Sequence, residues 1–329
     1  MSQTHLTQHE RVVITYLTMA KVPQAEIARQ IRRHPGTVGR ELRRNRDISG
    51  HYHYEVAEWK ARRRRAAAAT RPVTGDVELM AHVEAKLRIF WSPEQIVGRL
   101  ATNPPKRLVG KSIHPASIYR WIWDDPDRAE DLKTCLRVAS KPRRKPYGKP
   151  SKRGQIPNRT PIADRPEIVD ERCRLGDWEG DIVVGKGRSG YVMTNVDRAS
   201  RYLVTRKLDR PTAEAVEAAL VETMRRMPPE KRRTQTFDNG REFSSHESIS
   251  RRLDIDVYFA DPYSSWQRGT NENTNGLLRQ YLPKSRDFDT LTDHELASYN
   301  WQLNNRPRKC LNYQTPVEVF HHRNVALQM

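Results

Sequence analysis

Three carboxylates in the second half of the chain stand where acids can do chemistry. Glu272 lies in the stretch W-Q-R-G-T-N-E-N-T-N-G-L-L-R-Q-Y-L-P-K, residues 266–284, where the chain should turn into a helix. Gly269 and Thr270 supply a turn and a candidate N-cap, and Leu277, Leu278, Tyr281 and Leu282 follow at helical spacing. In the first turn of such a helix the dipole favours an anion. Asn275, Gly276 and Arg279 share the face of Glu272. An acid, a small polar group and a cation on one face suit a phosphate bound through a metal. Taken alone, the stretch is equally an ordinary capped helix with a solvated polar face. Asp238 follows a short strand, Arg233-Thr-Gln-Thr-Phe237, and Asp181 runs into the apolar strand Ile182-Val-Val184. Two acids at strands and a third on a late helix can converge in a layered α/β domain, where ligands gather at strand ends. Three carboxylates with no cysteine partner suit hard Mg²⁺, with Mn²⁺ as a substitute. Two such ions, roughly 3.5–4 Å apart, can clamp the attacking and leaving oxygens of a phosphoryl transfer.

Asp177, Glu179 and Asp181 share one face of a regular strand and compete for the first position. Asp181 is preferred because it leads directly into the apolar run and completes a W-x-x-D pattern with Trp178. Asp197 and Asp209 are expected as turn acids, Glu242 on a following helix and His246 as an exposed helical residue.

With 33 residues between Asp238 and Glu272, the three acids resemble the D-D-E triad of transposases and retroviral integrases. The motifs G-D-W-E-G-D, F-D-N-G, the Y-F-A-D-P-Y-S-S-W-Q-R-G-T-N-E-N-T-N-G-L-L-R-Q-Y-L-P-K run and L-N-N-R-P-R-K resemble the insertion sequence 30 family of bacterial transposases. The resemblance covers nearly the whole chain and is densest from Gly176 to Phe320. It implies a ribonuclease H-like mixed α/β core and metal-dependent strand cleavage that leaves a 3′-OH, followed by strand transfer with no covalent protein intermediate. It also implies double-stranded DNA partners, the terminal inverted repeats and a target, and action as a homodimer or higher oligomer. Arg268 and Arg279 occupy the family's basic positions four residues before and seven after the glutamate. They are expected to hold phosphates near the active site, with Asn239, Asn275 and Lys284 beside them. An aromatic often stands three residues before that arginine. This chain has Ser265 there, with Tyr263 and Trp266 nearby.

The positioning elements have to be found in a chain of 329 residues, long enough for two or three domains, with a net charge of +19. The charge is uneven. Residues 1–160 hold 33 Lys and Arg against 15 Asp and Glu, and the remainder 26 against 25. A merely solvated basic surface would spread the excess; a nucleic-acid-binding first half concentrates it. Residues 6–45 have the spacing of a helix-turn-helix with Ile27, Ala28, Ile31, Val38 and Leu42 as core, after a first helix striped by Val12, Val13, Tyr16 and Leu17. Thr37, Arg40, Arg43 and Arg44 would then face DNA; the alternative is a plain three-helix bundle. Residues 91–124 suggest a second, looser unit whose last helix presents Ser117 and Arg120. Between them, Arg62, Arg63, Arg64 and Arg65 sit on a helix that either tracks a phosphate backbone or is a solvated linker. A Pro-rich basic linker follows with Arg143, Arg144, Lys145, Lys152 and Arg153.

The expected organisation is therefore α+β. A helix-turn-helix domain spans 1–50, a basic helical linker 51–90, a second helix-turn-helix-like domain 91–139, a linker 140–162 and the catalytic domain 163–329. No run of about 18 apolar residues exists for a membrane span, and the N-terminus has no secretory pattern. Cys135, Cys173 and Cys310 are scattered singly, so neither a zinc site nor a disulfide framework is indicated, and a cytoplasmic setting is expected. Two other classes remain open: a DNA-binding regulator with an inactive core, and a nuclease acting on RNA–DNA hybrids. The three acids speak against the first, and two duplex readers against the second.

Overall fold

Thr7 opens the first helix with a capping box: its hydroxyl accepts the Glu10 N–H at 3.2 Å, and the Glu10 carboxylate accepts the Thr7 N–H at 2.6 Å. The computed structural model describes residues 5–47, 49–69, 73–137, 156–262 and 264–322, and packing divides the chain into two units, 1–76 and 77–329. The first unit holds α1 (Gln8–Met19), α2 (Gln24–Gln30), α3 (Pro35–Asn45) and α4 (Tyr54–Ala69). Leu6, Ile14, Ile27, Ala28, Val38, Leu42, Tyr52 and Ala57 form its core. The buried face of α1 is Arg11, Ile14 and Thr15, while Tyr16 is 66% exposed, so the expected Val12–Val13–Tyr16 stripe is rotated. The cause is Arg11. Its Nε donates to Glu41 of α3 at 2.7 Å, and its Nη1 donates to Glu58 of α4 at 2.7 Å and to the Leu6 carbonyl at 2.9 Å. A buried cation with acids on two other helices pulls its own face inward. It also makes α4, expected as part of a linker beginning at 51, a wall of the first unit.

The second unit begins with α5 (Val77–Arg88), α6 (Pro93–Thr102), α7 (Pro115–Trp123) and α8 (Pro126–Leu132). Leu79, Val83, Leu87, Ile96, Leu100, Ile118 and Ile122 are buried among them. The expected domain 91–139 is not set apart from residues 163–329 but shares one packed unit with them. Arg99 pairs with Glu318, Arg306 donates to Gln95 at 2.8 Å, and the Phe90 ring meets Tyr281 edge-on at 4.9 Å.

After the short α9 (Ile168–Glu171) come β1 (Asp177–Val184), β2 (Tyr191–Asp197), β3 (Leu203–Leu208), α10 (Ala213–Met224), β4 (Thr234–Phe237), α11 (His246–Leu253), β5 (Asp256–Phe259), α12 (Gly269–Leu278), α13 (Asp293–Asn304) and α14 (Pro316–His322). The sheet runs β3-β2-β1-β4-β5, with the β1–β2 and β2–β3 pairs antiparallel and the β1–β4 and β4–β5 pairs parallel. This is the ribonuclease H-like α+β order. The alternation of strand side chains divides the core in two. Trp178 packs with Val216, Leu220, Phe237, Ile249 and Leu253 on the α10–α11 side. Val183, Val192, Val196 and Leu203 pack with Leu277, Leu278, Leu296 and Leu303 on the α12–α13 side. Gly180 is needed where it is: a Cβ there would stand 2.5 Å from the Phe237 ring. The odd-numbered acids of β1 therefore share the face that α12 covers.

Arg11→Ala should destabilise the first unit by about 3 kcal/mol, because two acids lose their shared buried cation. Urea denaturation followed by circular dichroism would measure it, with Arg11→Met expected to cost less because it keeps the apolar stem.

Candidate active site

The parallel register sets two of the acids side by side. Glu179 pairs with Thr236, and continuing two residues brings Asp181 next to Asp238. Arg268 closes the pair. Its Nη2 donates to Asp238 at 3.1 Å, and its Nη1 lies 3.8 Å from Asp181 Oδ1 and donates to the Gly180 carbonyl at 2.9 Å. Among the described residues the buried Arg268 Nε has no hydrogen-bond partner. Asp181 is further held by Asn275, whose Nδ2 donates to Oδ2 at 2.9 Å, and by the Ile182 N–H at 2.9 Å. The Thr194 hydroxyl donates to Asn275 Oδ1 at 3.0 Å. Burial lifts the Asp181 carboxyl above the ordinary carboxylate range; Arg268 opposes the rise, and Asp238 and Glu242 add to it.

Glu272 lies in the first turn of α12, exposed and without a hydrogen-bond or ion-pair partner among the described residues. Among those residues no three His, Cys, Asp or Glu side chains come close enough to hold a metal ion. The structure thus joins Asp181 and Asp238 through Arg268 and leaves Glu272 apart from that pair, exposed in the first turn of α12. The pair and Asn275 offer oxygen donors, and a cation already bridges the two aspartates. That donor chemistry fits a hard divalent ion.

The rival acids of β1 are committed elsewhere. Asp177 accepts from Arg174 at 2.9 and 3.1 Å and from the Thr234 hydroxyl at 2.9 Å. Glu179 is fully buried and held by Arg198. Asp197 serves as a turn acid, accepting the Gly176 and Ser200 N–H groups at 2.8 and 2.7 Å. Glu242 is in a 3-10 turn, Arg241–Phe243, rather than on a helix. His246 is buried, not exposed: its Nε2 donates to the Pro157 carbonyl at 3.0 Å and its ring meets Phe259 edge-on. Thr270 does not cap α12 but lies buried inside its first turn, accepting from Arg201 at 2.7 Å.

Arg279 is half-buried. It donates to the Val184 carbonyl at 2.9 Å and the Leu282 carbonyl at 3.3 Å, and lies over the Phe288 ring. Asn239 receives a hydrogen bond from Arg159 and donates to the Ala260 carbonyl at 2.6 Å, and Lys284 is exposed. The Ser265 backbone opens the 3-10 turn Ser265–Arg268, and Trp266 within it is 71% exposed. Tyr263 lies outside the described residues.

In the first unit Arg40, Arg43 and Arg44 are exposed on α3 and Thr37 is partly so; Arg40 lies 3.5 Å from the Thr37 hydroxyl. The α4 arginines are exposed but engaged: Arg62 and Arg65 with Glu58, Arg64 with Asn45, and Arg63 over Trp59. In the second unit α7 presents Arg120, with Ser117 partly exposed. The two candidate recognition helices start alike. His34 Nδ1 accepts the Gly36 N–H at 3.1 Å and His114 Nδ1 accepts the Ala116 N–H at 3.2 Å, each ahead of a proline at the first helical position. The signal was present as a repeat, H-P-G-T-V-G-R at 34–40 and H-P-A-S-I-Y-R at 114–120. It aligns Thr37 with Ser117 and Arg40 with Arg120. Arg143, Arg144, Lys145, Lys152 and Arg153 lie outside the described residues.

A mixed sheet with one aspartate on β1 and a second just past the end of the adjoining parallel strand β4, in a chain with a helix-turn-helix in its first unit, defines an integrase-type polynucleotidyl transferase core joined to a DNA-binding domain. Family models agree: "Integrase core domain" matches residues 171–265, spanning Asp181 and Asp238, and "Helix-turn-helix domain" matches 2–45. The chain is 40% identical to the transposase for insertion sequence element IS4351 of Bacteroides fragilis, over 96% of this chain and 95% of that one. It is 38% identical to transposase InsI for IS30C of Escherichia coli, over 98% of this chain and 85% of that one. To the transposase for IS1086 of Cupriavidus metallidurans it is 37% identical, over 95% of this chain and 93% of that one. It belongs to the insertion sequence 30 family of transposases. Among the described residues no helix is long and apolar enough to cross a membrane.

Because Arg279 ties α12 to the end of β1, Arg279→Ala should lower stability by about 1–2 kcal/mol. Lys284→Ala should stay within about 0.5 kcal/mol of wild type. Chemical denaturation of the full chain separates the two, and equal values would make Arg279 a surface charge.

Proposed function

We propose that this transposase binds the terminal inverted repeats of its element through α3 and α7. With Asp181, Asp238 and Glu272 it then cleaves a phosphodiester at the element's end and joins the freed 3′-OH to target DNA. The observation that carries this reading is the pair of aspartates drawn onto one guanidinium, beside a helix whose first turn bears Glu272. Two Mg²⁺ ions bound there, or Mn²⁺ in their place, would activate the attacking oxygen and stabilise charge on the leaving one.

The chain's own groups do the rest. Asp181 and Asp238 are the fixed ligands, because strand register holds their backbones and Asn275 holds one carboxylate. Glu272, exposed in the first turn of α12, would complete the set that holds the metal. Arg268, which pairs with both acids, would lie next to the scissile phosphate, where its charge would offset charge developing in the transfer. Arg43, Arg44 and the α4 arginines supply phosphate contacts. Thr37, Arg40, Ser117 and Arg120 lie at positions suited to base edges. Joining two ends at one target requires two copies of this core, which supports a dimer or higher oligomer.

Asp181→Asn, Asp238→Asn and Glu272→Gln should each abolish cleavage and strand transfer in Mg²⁺ and leave repeat binding nearly unchanged, since each removes a ligand charge at constant volume. Near wild-type cleavage by any one variant would remove that residue from the site. Binding of repeat DNA without metal should weaken with salt, and Arg43→Ala or Arg44→Ala should each reduce the slope of log affinity against log salt by about 1. Arg40→Ala and Arg120→Ala should instead narrow the preference for repeat over random duplex. Fluorescence anisotropy at several salt concentrations reads both effects.

A further inference from the structure

The helix that carries Glu272 has no cap of its own. Its N-cap position is Arg268, with no side-chain cap hydrogen bond. An arginine has no acceptor to offer, and this one is aimed at Asp238 and the Gly180 carbonyl. The first-turn N–H groups of α12 must find acceptors elsewhere. One is found across the sheet. Glu179 Oε2 accepts the Asn271 N–H at 2.8 Å, and the Asn271 side chain donates to the Glu179 carbonyl at 3.0 Å. Asn271 is the residue before Glu272 and is fully buried, as is Glu179.

We infer that Glu179 is the positioning residue for Glu272, a carboxylate on β1 that stands in for the missing cap of α12 and fixes where the third acid can reach. Both its oxygens are used. Oε1 accepts from Arg198 Nη1 at 2.6 Å, and Arg198 in turn donates to the Val169 carbonyl at 3.0 Å and to Asp170 at 2.9 Å. Fully buried, with one oxygen held by Arg198 and the other by the Asn271 N–H, Glu179 is committed to positioning rather than offered as a fourth ligand. Its charge lies at a helix N-terminus, where the dipole favours it. Glu179 and Asp181 are two residues apart on one strand face. A single strand therefore sets both the first acid and the origin of the helix that presents the third. The Thr194 hydroxyl, which donates to Asn275, also lies 3.2 Å from Asn271 Oδ1, which ties the same turn to β2.

The inference rests on the reading of Glu272 as the third ligand, and the experiment separates the two. Full-length Glu179→Asp, Glu179→Gln, Asn271→Ala and Glu272→Gln are compared with wild type. The measurements are single-turnover strand transfer on pre-cut ends across a Mg²⁺ series, Mn²⁺ binding by the electron paramagnetic resonance signal of free Mn²⁺, affinity for repeat DNA, and melting temperature. Glu179→Asp keeps a charge opposite Arg198 but draws back from Asn271. It should raise the Mg²⁺ concentration for half-maximal rate by about tenfold, the effect typical of losing a group that orients a metal ligand. Excess Mg²⁺ should restore the rate, Mn²⁺ affinity should fall in parallel, and repeat binding should hold. Asn271→Ala, which leaves the Glu179–Arg198 pair intact, should shift the metal dependence in the same direction by less. An acid that matters only for folding would lower rate and melting temperature together without moving the metal dependence. An unshifted metal dependence in both Glu179→Asp and Asn271→Ala overturns the inference, whether or not Glu179→Gln folds. If it is unshifted while Glu272→Gln is inactive, only the positioning role falls. A Glu272→Gln variant with wild-type transfer removes the third ligand and the inference with it.

Discussion

Two carboxylates on neighbouring parallel strands repel each other and need a cation between them. The β1–β4 register brings Asp181 and Asp238 into that position, and much of the second unit is arranged around it. Arg268 is supplied by the 3-10 turn Ser265–Arg268, just ahead of α12, so that its guanidinium can reach both acids. Because the N-cap position is then occupied by a donor, α12 takes its acceptor from β1. Because Gly180 has no side chain, Phe237 can lie against the strand immediately before Asp238. The same demand for positive charge that Arg268 meets internally is what a divalent ion would meet with more charge and less reach.

The two candidate DNA readers are built by a shared local rule rather than by a shared size of loop. A histidine nitrogen caps, a proline fixes the first helical dihedral, and an apolar residue four after the histidine, Val38 or Ile118, is fully buried. That arrangement orients the residues between, Thr37 and Ser117, and the arginine two beyond, Arg40 and Arg120, to comparable places on their helices. The loop between α6 and α7 is longer than the turn between α2 and α3, and α6 also meets Arg306 beyond α13 and Glu318 of α14 through Gln95 and Arg99.

The strands were legible because each is short, bounded by turn residues and rich in β-branched or aromatic side chains, and the mixed sheet they form was implied by the family resemblance. The expected strand 233–237 agrees with β4 to within a residue, and the expected apolar strand 182–184 is the end of β1. Face parity was legible too: the odd-numbered acids of β1 do share a side. The fate of each acid was not, because it depends on groups 19, 57 and 92 residues away, Arg198 for Glu179, Thr234 for Asp177 and Asn271 for Glu179. The same limit explains α1, where apolar spacing pointed to Val12 and Val13 and a distant pair of acids drew in Arg11 instead. It also explains His246, whose carbonyl partner Pro157 lies 89 residues earlier. Local pattern announces elements; pairing of polar groups across elements decides which of their faces turns inward.

The tie from Arg11 to Glu41 and Glu58 also sets how the chain can be divided and reused. A recognition helix is often treated as a cassette to be lifted from one protein into another. Here a cassette of residues 6–45 would carry Arg11 and Glu41 away from Glu58, and would strip the core of Tyr52 and Ala57, which close it from beyond the motif. The reader is packed as part of a four-helix unit that runs to residue 76. The helix-turn-helix family model ends at residue 45, short of the packed unit that contains it.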